Sequence, residues 1–208
     1  DSGIEVPTPV RKAMCGLHLD QFTTYDFDGF FHDRPVVFME TENGGVKTIS
    51  APHMIVTLLH HLELKEGHEV LVVGSKGGYI AALIATIVGE QGRVIIIDPS
   101  EEIVRHTANA LNGWPTIDLR HVESIDVAPI ELPGDLSRIL ITGSVLSVPT
   151  WMEERIVEGG FVIAPIGDHH HQELMKNERQ YDALHPTSLG PVSFGPVDIV
   201  ESEPQPLT

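Results

Sequence analysis

The chain has 208 residues, with 13 Lys plus Arg against 30 Asp plus Glu, for a formal charge of −17. That length fits one domain with a sizeable core, so neither disulfides nor a metal is needed for folding. The charge argues against nucleic acid and anionic membrane as partners, since both are held by clustered Lys and Arg. The one cysteine, Cys15, has no internal disulfide partner, which predicts a reducing, cytoplasmic setting. The longest apolar run, Tyr79 to Val88, is too short to span a bilayer. No signal-peptide pattern opens the chain, which begins at Asp1 without methionine, so further residues upstream are expected.

The first 45 residues mix short apolar pieces with turn formers, broken by Pro7, Pro9 and Pro35 and closed by the turn Glu42-Asn43-Gly44-Gly45. Residues 1–49 are predicted to pack as an N-terminal extension on a core formed by residues 50–200, with 201–208 a loose tail. Ser50-Ala51-Pro52-His53 reads as a helix start with Ser50 as N-cap, followed by Met54, Leu58, Leu59 and Leu62 at helical spacing. Strand and helix signals then alternate. Glu69–Val73 is a predicted buried strand, Tyr79–Val88 an apolar helix ended at Gly89, and Arg93–Ile97 a second strand closing on Asp98-Pro99. Ser100 caps the next helix, with Glu101 and Glu102 where the helix dipole favours acids. Asp118–Val122 and Arg138–Thr142 are further strands, Trp151–Val157 a helix, Gly159-Gly160 a turn and Phe161–Pro165 a fifth strand. Gln172–Leu184 and Val192–Val200 are predicted antiparallel strands finishing the sheet. Continuous apolar strands alternating with helices define an α/β fold, a doubly wound and mostly parallel sheet.

Such sheets bind ligands at the carboxyl ends of the strands, where strand order switches. The first strand runs into Gly74-Ser75-Lys76-Gly77-Gly78, and the second ends in Asp98. Glycines there let a ligand approach the backbone, and the acid suits a ribose. The pattern alone does not separate a dinucleotide from S-adenosylmethionine. The absence of G-x-G-x-x-G and of a Walker A sequence disfavours NAD and nucleoside triphosphates.

Longer runs are more specific. Thr48-Ile49-Ser50-Ala51-Pro52-His53-Met54 resembles the T-I-S-x-P-H-M signature of the protein-L-isoaspartate O-methyltransferases. Asp33-Arg34-Pro35, Leu64-Lys65-Glu66-Gly67, the Gly74–Tyr79 turn, Gly159–Gly167, Gln172-Glu173-Leu174 and Gly190-Pro191-Val192-Ser193-Phe194 resemble other motifs of that family, in order. The resemblance implies a Rossmann-like S-adenosylmethionine methyltransferase fold. It implies methyl transfer to the α-carboxylate of isoaspartyl residues in damaged peptides or proteins. By resemblance, Ser50 hydrogen-bonds the reactive carboxylate, and Ile49, Ala51 and His53 form the substrate wall. Gly74, Ser75 and Gly78 line the methionine part of the cofactor, Asp98 takes the ribose, Glu123 lies near the adenine and Gln172 closes the site.

The chain departs from the family pattern at four places. Val72 stands where the family has an acid that holds the cofactor's ammonium end, and Lys76 replaces the middle glycine of the turn. Val122-Glu123-Ser124 replaces G-D-G, and Glu42–Lys47 replaces a compact G-x-G-Q loop. These changes leave a second reading, a catalytically silent relative with an interaction or assembly role. RNA methylation on the same sheet is disfavoured by the charge. Asp168-His169-His170-His171 lacks ligand spacing for a metal and reads as a polar loop. No metal site is predicted.

Overall fold

The computed structural model describes residues 5–197. The chain begins with α1 (Thr8–Gly16), a 3-10 turn at Leu19–Gln21 and a short α2 (Asp28–Phe31), then β1 (Val36–Glu40), β2 (Val46–Ile49) and α3 (Pro52–His61). The alternating part follows as β3 (Glu69–Val73), α4 (Tyr79–Val88), β4 (Arg93–Asp98), α5 (Glu101–Ala110), β5 (Ile117–His121), β6 (Leu136–Ile141), α6 (Thr150–Arg155) and β7 (Ile156–Gly167). A hairpin of β8 (Gln172–Gln180) and β9 (Ala183–Val192) closes it.

β1 and β2 pair with each other, while the remaining strands form one sheet of order β5-β4-β3-β6-β7-β8-β9. Its first five strands in that order are mutually parallel, and β8 and β9 are antiparallel additions. Period-two alternation assigns each strand residue to a face. Val70, Val72, Val94 and Ile96 face one side, where residues from α1, α3 and α4 cover them. Leu71, Val73, Ile95 and Ile97 face the other, under Trp151 and Met152 of α6 and Ile125 and Val148 of the connecting loops. Val10, Ala13, Phe22 and Phe30 from the first 45 residues share the first of these clusters. Each such fully buried side chain contributes roughly 1.5–3 kcal/mol. No helix among the described residues is long and apolar enough to cross a membrane.

Three local expectations are corrected. The N-cap of α3 is Ala51, with no side-chain cap, because Pro52 already presets the first turn without an N–H to satisfy. α6 stops at Arg155, and the Gly159-Gly160 pair lies inside β7 as an irregularity in its pairing with β6. Leu136 faces Ile156 while Arg138 faces Phe161. At the C-terminal end the hairpin turns at Tyr181 and Asp182, both at positive φ, so Leu184 and Val192 belong to one strand. The predicted strand's remainder, 198–200, lies outside the described residues.

From β3 the chain winds through α4, β4 and α5 to β5, then returns to β6 on the other side of β3. The crevice this reversal opens lies at the ends of β3 and β6, at Gly74 and Thr142-Gly143. Thr142 Oγ1 closes its floor by donating toward the carbonyls of Val73 (3.1 Å) and Gly74 (2.7 Å). Gly74 has φ +90°, and a Cβ there falls 2.5 Å from Thr142 Oγ1. Gly74→Ala is therefore expected to destabilise the fold by about 1–3 kcal/mol, read as a lower urea midpoint at unchanged slope. Gly134→Ala, where nothing lies within 4 Å, is expected to be neutral within ~0.5 kcal/mol.

Candidate active site

One buried carboxylate organises the crevice. Asp98, 3% exposed, accepts from the Ser75 N–H (2.7 Å) and the Ser75 hydroxyl (2.8 Å) on Oδ2, and from the Ser100 N–H (2.9 Å) on Oδ1. Thr107 of α5 donates to Ser75 Oγ at 3.0 Å, so that hydroxyl both gives and receives a bond. Ser100 Oγ in turn caps α5 by accepting from Ile103 N–H. The end of β4, the glycine turn and α5 are thereby locked together. Oδ2 thus accepts two bonds and Oδ1 one, which leaves one acceptor position on Oδ1 for a further donor.

Two cavities meet above this network. An inner one of about 210 Å³ is lined by Gly74, Lys76, Asp98, Thr142, Gly143 and the Gly195–Val197 segment, among others. It shares Val46, Lys47, Ile103 and Val197 with a wider opening of about 660 Å³ that reaches Glu102, Glu123 and Ser124. An outer cavity of about 500 Å³ is walled by Ser50, Ala51, His53, Met54 and the Pro191–Gly195 segment. Thr48, Lys76 and Gly195 line both the inner and the outer cavity, so they form the boundary between them.

The outer wall is oriented from below. Asp33, at φ +59°, accepts from the His53 N–H (2.9 Å), and its Oδ1 lies 3.0 Å from His53 Nδ1. The backbone bond from His53 holds the Asp33 carboxyl below the usual carboxylate range. The D-x-P and P-H-M runs, far apart in sequence, thus meet at one rim. Ser50 lines the outer cavity, and its hydroxyl has no hydrogen bond among the described residues.

Six of the ten predicted site residues line these openings. Ser50, Ala51 and His53 line the outer cavity, Gly74 and Asp98 the inner one, and Glu123 the wider opening. Ile49, nearly fully buried, reaches only a narrow gap beneath Ser50. Ser75 and Gly78 are buried under the turn; Ser75 serves Asp98, and a Cβ on Gly78 lies 2.9 Å from Leu111. Gln172 spends its amide on Phe194, donating to its carbonyl (3.0 Å) and accepting its N–H (2.7 Å). It fixes the segment that closes the outer cavity and does not itself line either cavity. Lys47, Thr48, Thr142, Gly143 and Gly195–Val197 were not anticipated. Thr142-Gly143, at the end of the predicted strand Arg138–Thr142, carried the usable signal.

A parallel sheet with a buried acid ending its second strand, a glycine turn ending its first and a crevice at the switch point is a Rossmann-like methyltransferase fold. The sequence model of the family described as "Protein-L-isoaspartate(D-aspartate) O-methyltransferase (PCMT)" matches residues 1–202, and the chain belongs to that family. The protein-L-isoaspartate O-methyltransferase of Methanopyrus kandleri is 34% identical over 176 residues, covering 83% of this chain and 75% of the relative. That of Methanococcus maripaludis strain S2 is 32% identical over 191 residues, covering 90% and 86%. A solved protein-L-isoaspartate O-methyltransferase structure superposes with TM-score 0.83 at 22% identity over 93% of this chain, which spans 62% of that chain. A Plasmodium falciparum structure, a putative member of the family in complex with S-adenosyl-L-homocysteine, gives TM-score 0.77 at 21% identity, covering 94% and 93%.

Lys76 is the electrostatic oddity of the site. It sits at φ +46°, a region that disfavours a side chain. Its ammonium lies 5.7 Å from the centre of the Phe194 ring, and no carboxylate pairs with it among the described residues. Burial pushes its pKa down from 10.5 to about 8, Lys47 pushes the same way and Asp98 opposes both. Below pH 8 the ammonium is charged in the folded and unfolded chain alike, so its burial penalty is fully present. Between about pH 8 and 10.5 the unfolded chain binds the extra proton, so this penalty fades as pH rises. Lys76→Met is therefore expected to raise Tm by a few degrees at pH 7, and the gain should shrink between pH 8 and 10 in a thermal-melt series. A gain that does not change with pH would contradict this origin.

Proposed function

We propose that this chain transfers a methyl group from S-adenosylmethionine to the free carboxylate of isoaspartyl residues in damaged proteins or peptides. The observation that carries this reading is the meeting of an inner cavity rooted at Asp98 with an outer cavity walled by Ser50–His53, across Thr48, Lys76 and Gly195. A donor and an acceptor held in separate cavities with a common boundary is the arrangement that direct group transfer needs.

The residues present fit the cofactor. Asp98 keeps one acceptor position, on Oδ1, for a ribose hydroxyl, Glu123 and Glu102 can accept from an adenine amino group, and Ile103 offers an apolar surface. When bound, S-adenosylmethionine supplies a methyl group on a sulfonium. A carboxylate oxygen forms the new O–C bond, the S–C electron pair stays on sulfur, and no proton moves. The acceptor is already ionised at neutral pH, its pKa being about 4, so no general base is required. The chain's contribution is orientation. The Ser50 hydroxyl donates to the acceptor carboxylate, His53 walls the peptide side from its place on Asp33, and the Phe194–Gly195 segment covers both and restricts water. A cytoplasmic setting goes with this reading, supported by the single, exposed Cys15.

Calorimetric titration with S-adenosylhomocysteine is expected to give saturable heat. Methyl transfer is expected to an isoaspartyl peptide and not to its normal aspartyl twin. No heat at high micromolar ligand would favour the silent-relative reading instead. Ser50→Ala should lower kcat/KM for the isoaspartyl peptide by about 10–100-fold, the loss of one hydrogen bond to a charged group. Its affinity for S-adenosylhomocysteine should not change.

A further inference from the structure

We infer that Lys76 is a substrate-binding residue whose ammonium receives the methyl-accepting carboxylate at the boundary of the two cavities. This rests on the methyl-transfer reading above and adds to it the group that selects the ionised acceptor. Three observations converge on it. Lys76 is one of three residues lining both cavities, and the other two, Thr48 and Gly195, carry no charge. Its ammonium lies 5.7 Å from the centre of the Phe194 ring, a wall of the outer cavity, so the charge is within reach of a group held there. It is a half-buried cation without an acidic partner among the described residues, in a chain where acids outnumber Lys plus Arg by 30 to 13.

The neighbouring charges decide which group the ammonium takes. Lys47 from β2 shares the inner cavity, and Asp98 from β4 is occupied by Ser75 and Ser100. His53 of α3 faces the outer cavity, and the Pro191–Gly195 segment contributes no ionisable side chain. A cation here opposes a sulfonium or an ammonium and attracts an anion. The acceptor carboxylate carries that charge before transfer and loses it on becoming a methyl ester, so Lys76 holds the substrate and releases the product. Such binding acts on the ground state, which places its effect on KM rather than on kcat. The attraction also offsets repulsion between the acidic surface and an acidic peptide, because it operates where water is scarce.

The test uses the full chain and a fluorescent isoaspartyl peptide with its carboxylate either free or methyl-esterified. Anisotropy with the S-adenosylhomocysteine complex is expected to show about tenfold preference for the free carboxylate. Lys76→Met should bind the two peptides alike, and Lys76→Arg should restore the preference. In turnover, Lys76→Met should raise KM about tenfold with kcat within threefold. Calorimetry should still show saturable binding of S-adenosylhomocysteine, which also establishes that the variant folds. Unchanged discrimination in Lys76→Met, or a loss confined to cofactor affinity, overturns the inference and leaves the methyl-transfer reading standing. Absence of cofactor binding and methylation in the unaltered protein overturns that reading, and this inference with it.

Discussion

The site depends on a single buried carboxylate. Asp98 ends β4 in a place where an unpaired charge costs several kcal/mol, and it is tolerated because backbone and hydroxyl donors from two other segments converge on it. Ser75 brings the turn after β3, and Ser100 brings the start of α5. Thr107 then secures Ser75 from about two helical turns further along α5. The same bonds that satisfy the charge also set the shape of the glycine turn, and with it the position of Gly74 and Lys76. The shape of the inner cavity and the local rigidity of the fold therefore have one cause.

Charge is distributed unevenly around this point. The chain as a whole is strongly acidic, yet the boundary between the cavities holds a lysine, with a second lysine beside it. An acidic surface slows the approach of a carboxylate-bearing peptide, and screening by salt relieves that over distances of about 8–10 Å. Val72 belongs to the same redistribution. Its side chain is sealed in the apolar face with Ile96 and Tyr79, so the negative group of the family pattern is absent from the floor while a positive one has entered from the turn. On the proposed reading, the cofactor's amino group is left to backbone carbonyls and the anionic partner to Lys76.

The sheet was legible in the sequence because its strands are buried on both faces, and continuous apolar runs such as Val94 to Ile97 leave no alternative period. Ser100 and Asp98 were legible too, since a cap and an acid at a strand end act locally. What escaped was fixed by tertiary context. Tyr181-Asp182 turns the last hairpin at positive φ without the Asn-Gly or Gly pair that announces such a turn. Gly159-Gly160 looked like a terminus and is an irregularity inside β7, because the pairing continues on both sides of it. Ser75 and Gly78 stand within a motif associated with cofactor contact, but the turn coils so that both point down into the protein. Motif position alone does not say which side of a turn a residue presents.

Gln172 shows the same point with a functional consequence. It is nearly fully buried, and its amide replaces the missing strand partner of Phe194, accepting the N–H and donating to the carbonyl. That clamp holds the chain after β9 against the sheet, where Ser144 continues the pairing with Gly195 and Val197. A side chain at Gly143 would collide with this segment, a Cβ there lying 2.9 Å from Gly195 O and Val197 N. The route from sequence to site thus runs through Gln172 to Phe194, and from the Phe194 ring to the ammonium of Lys76. On the proposed reading, Gln172 acts by fixing the aromatic wall beside the site's cation.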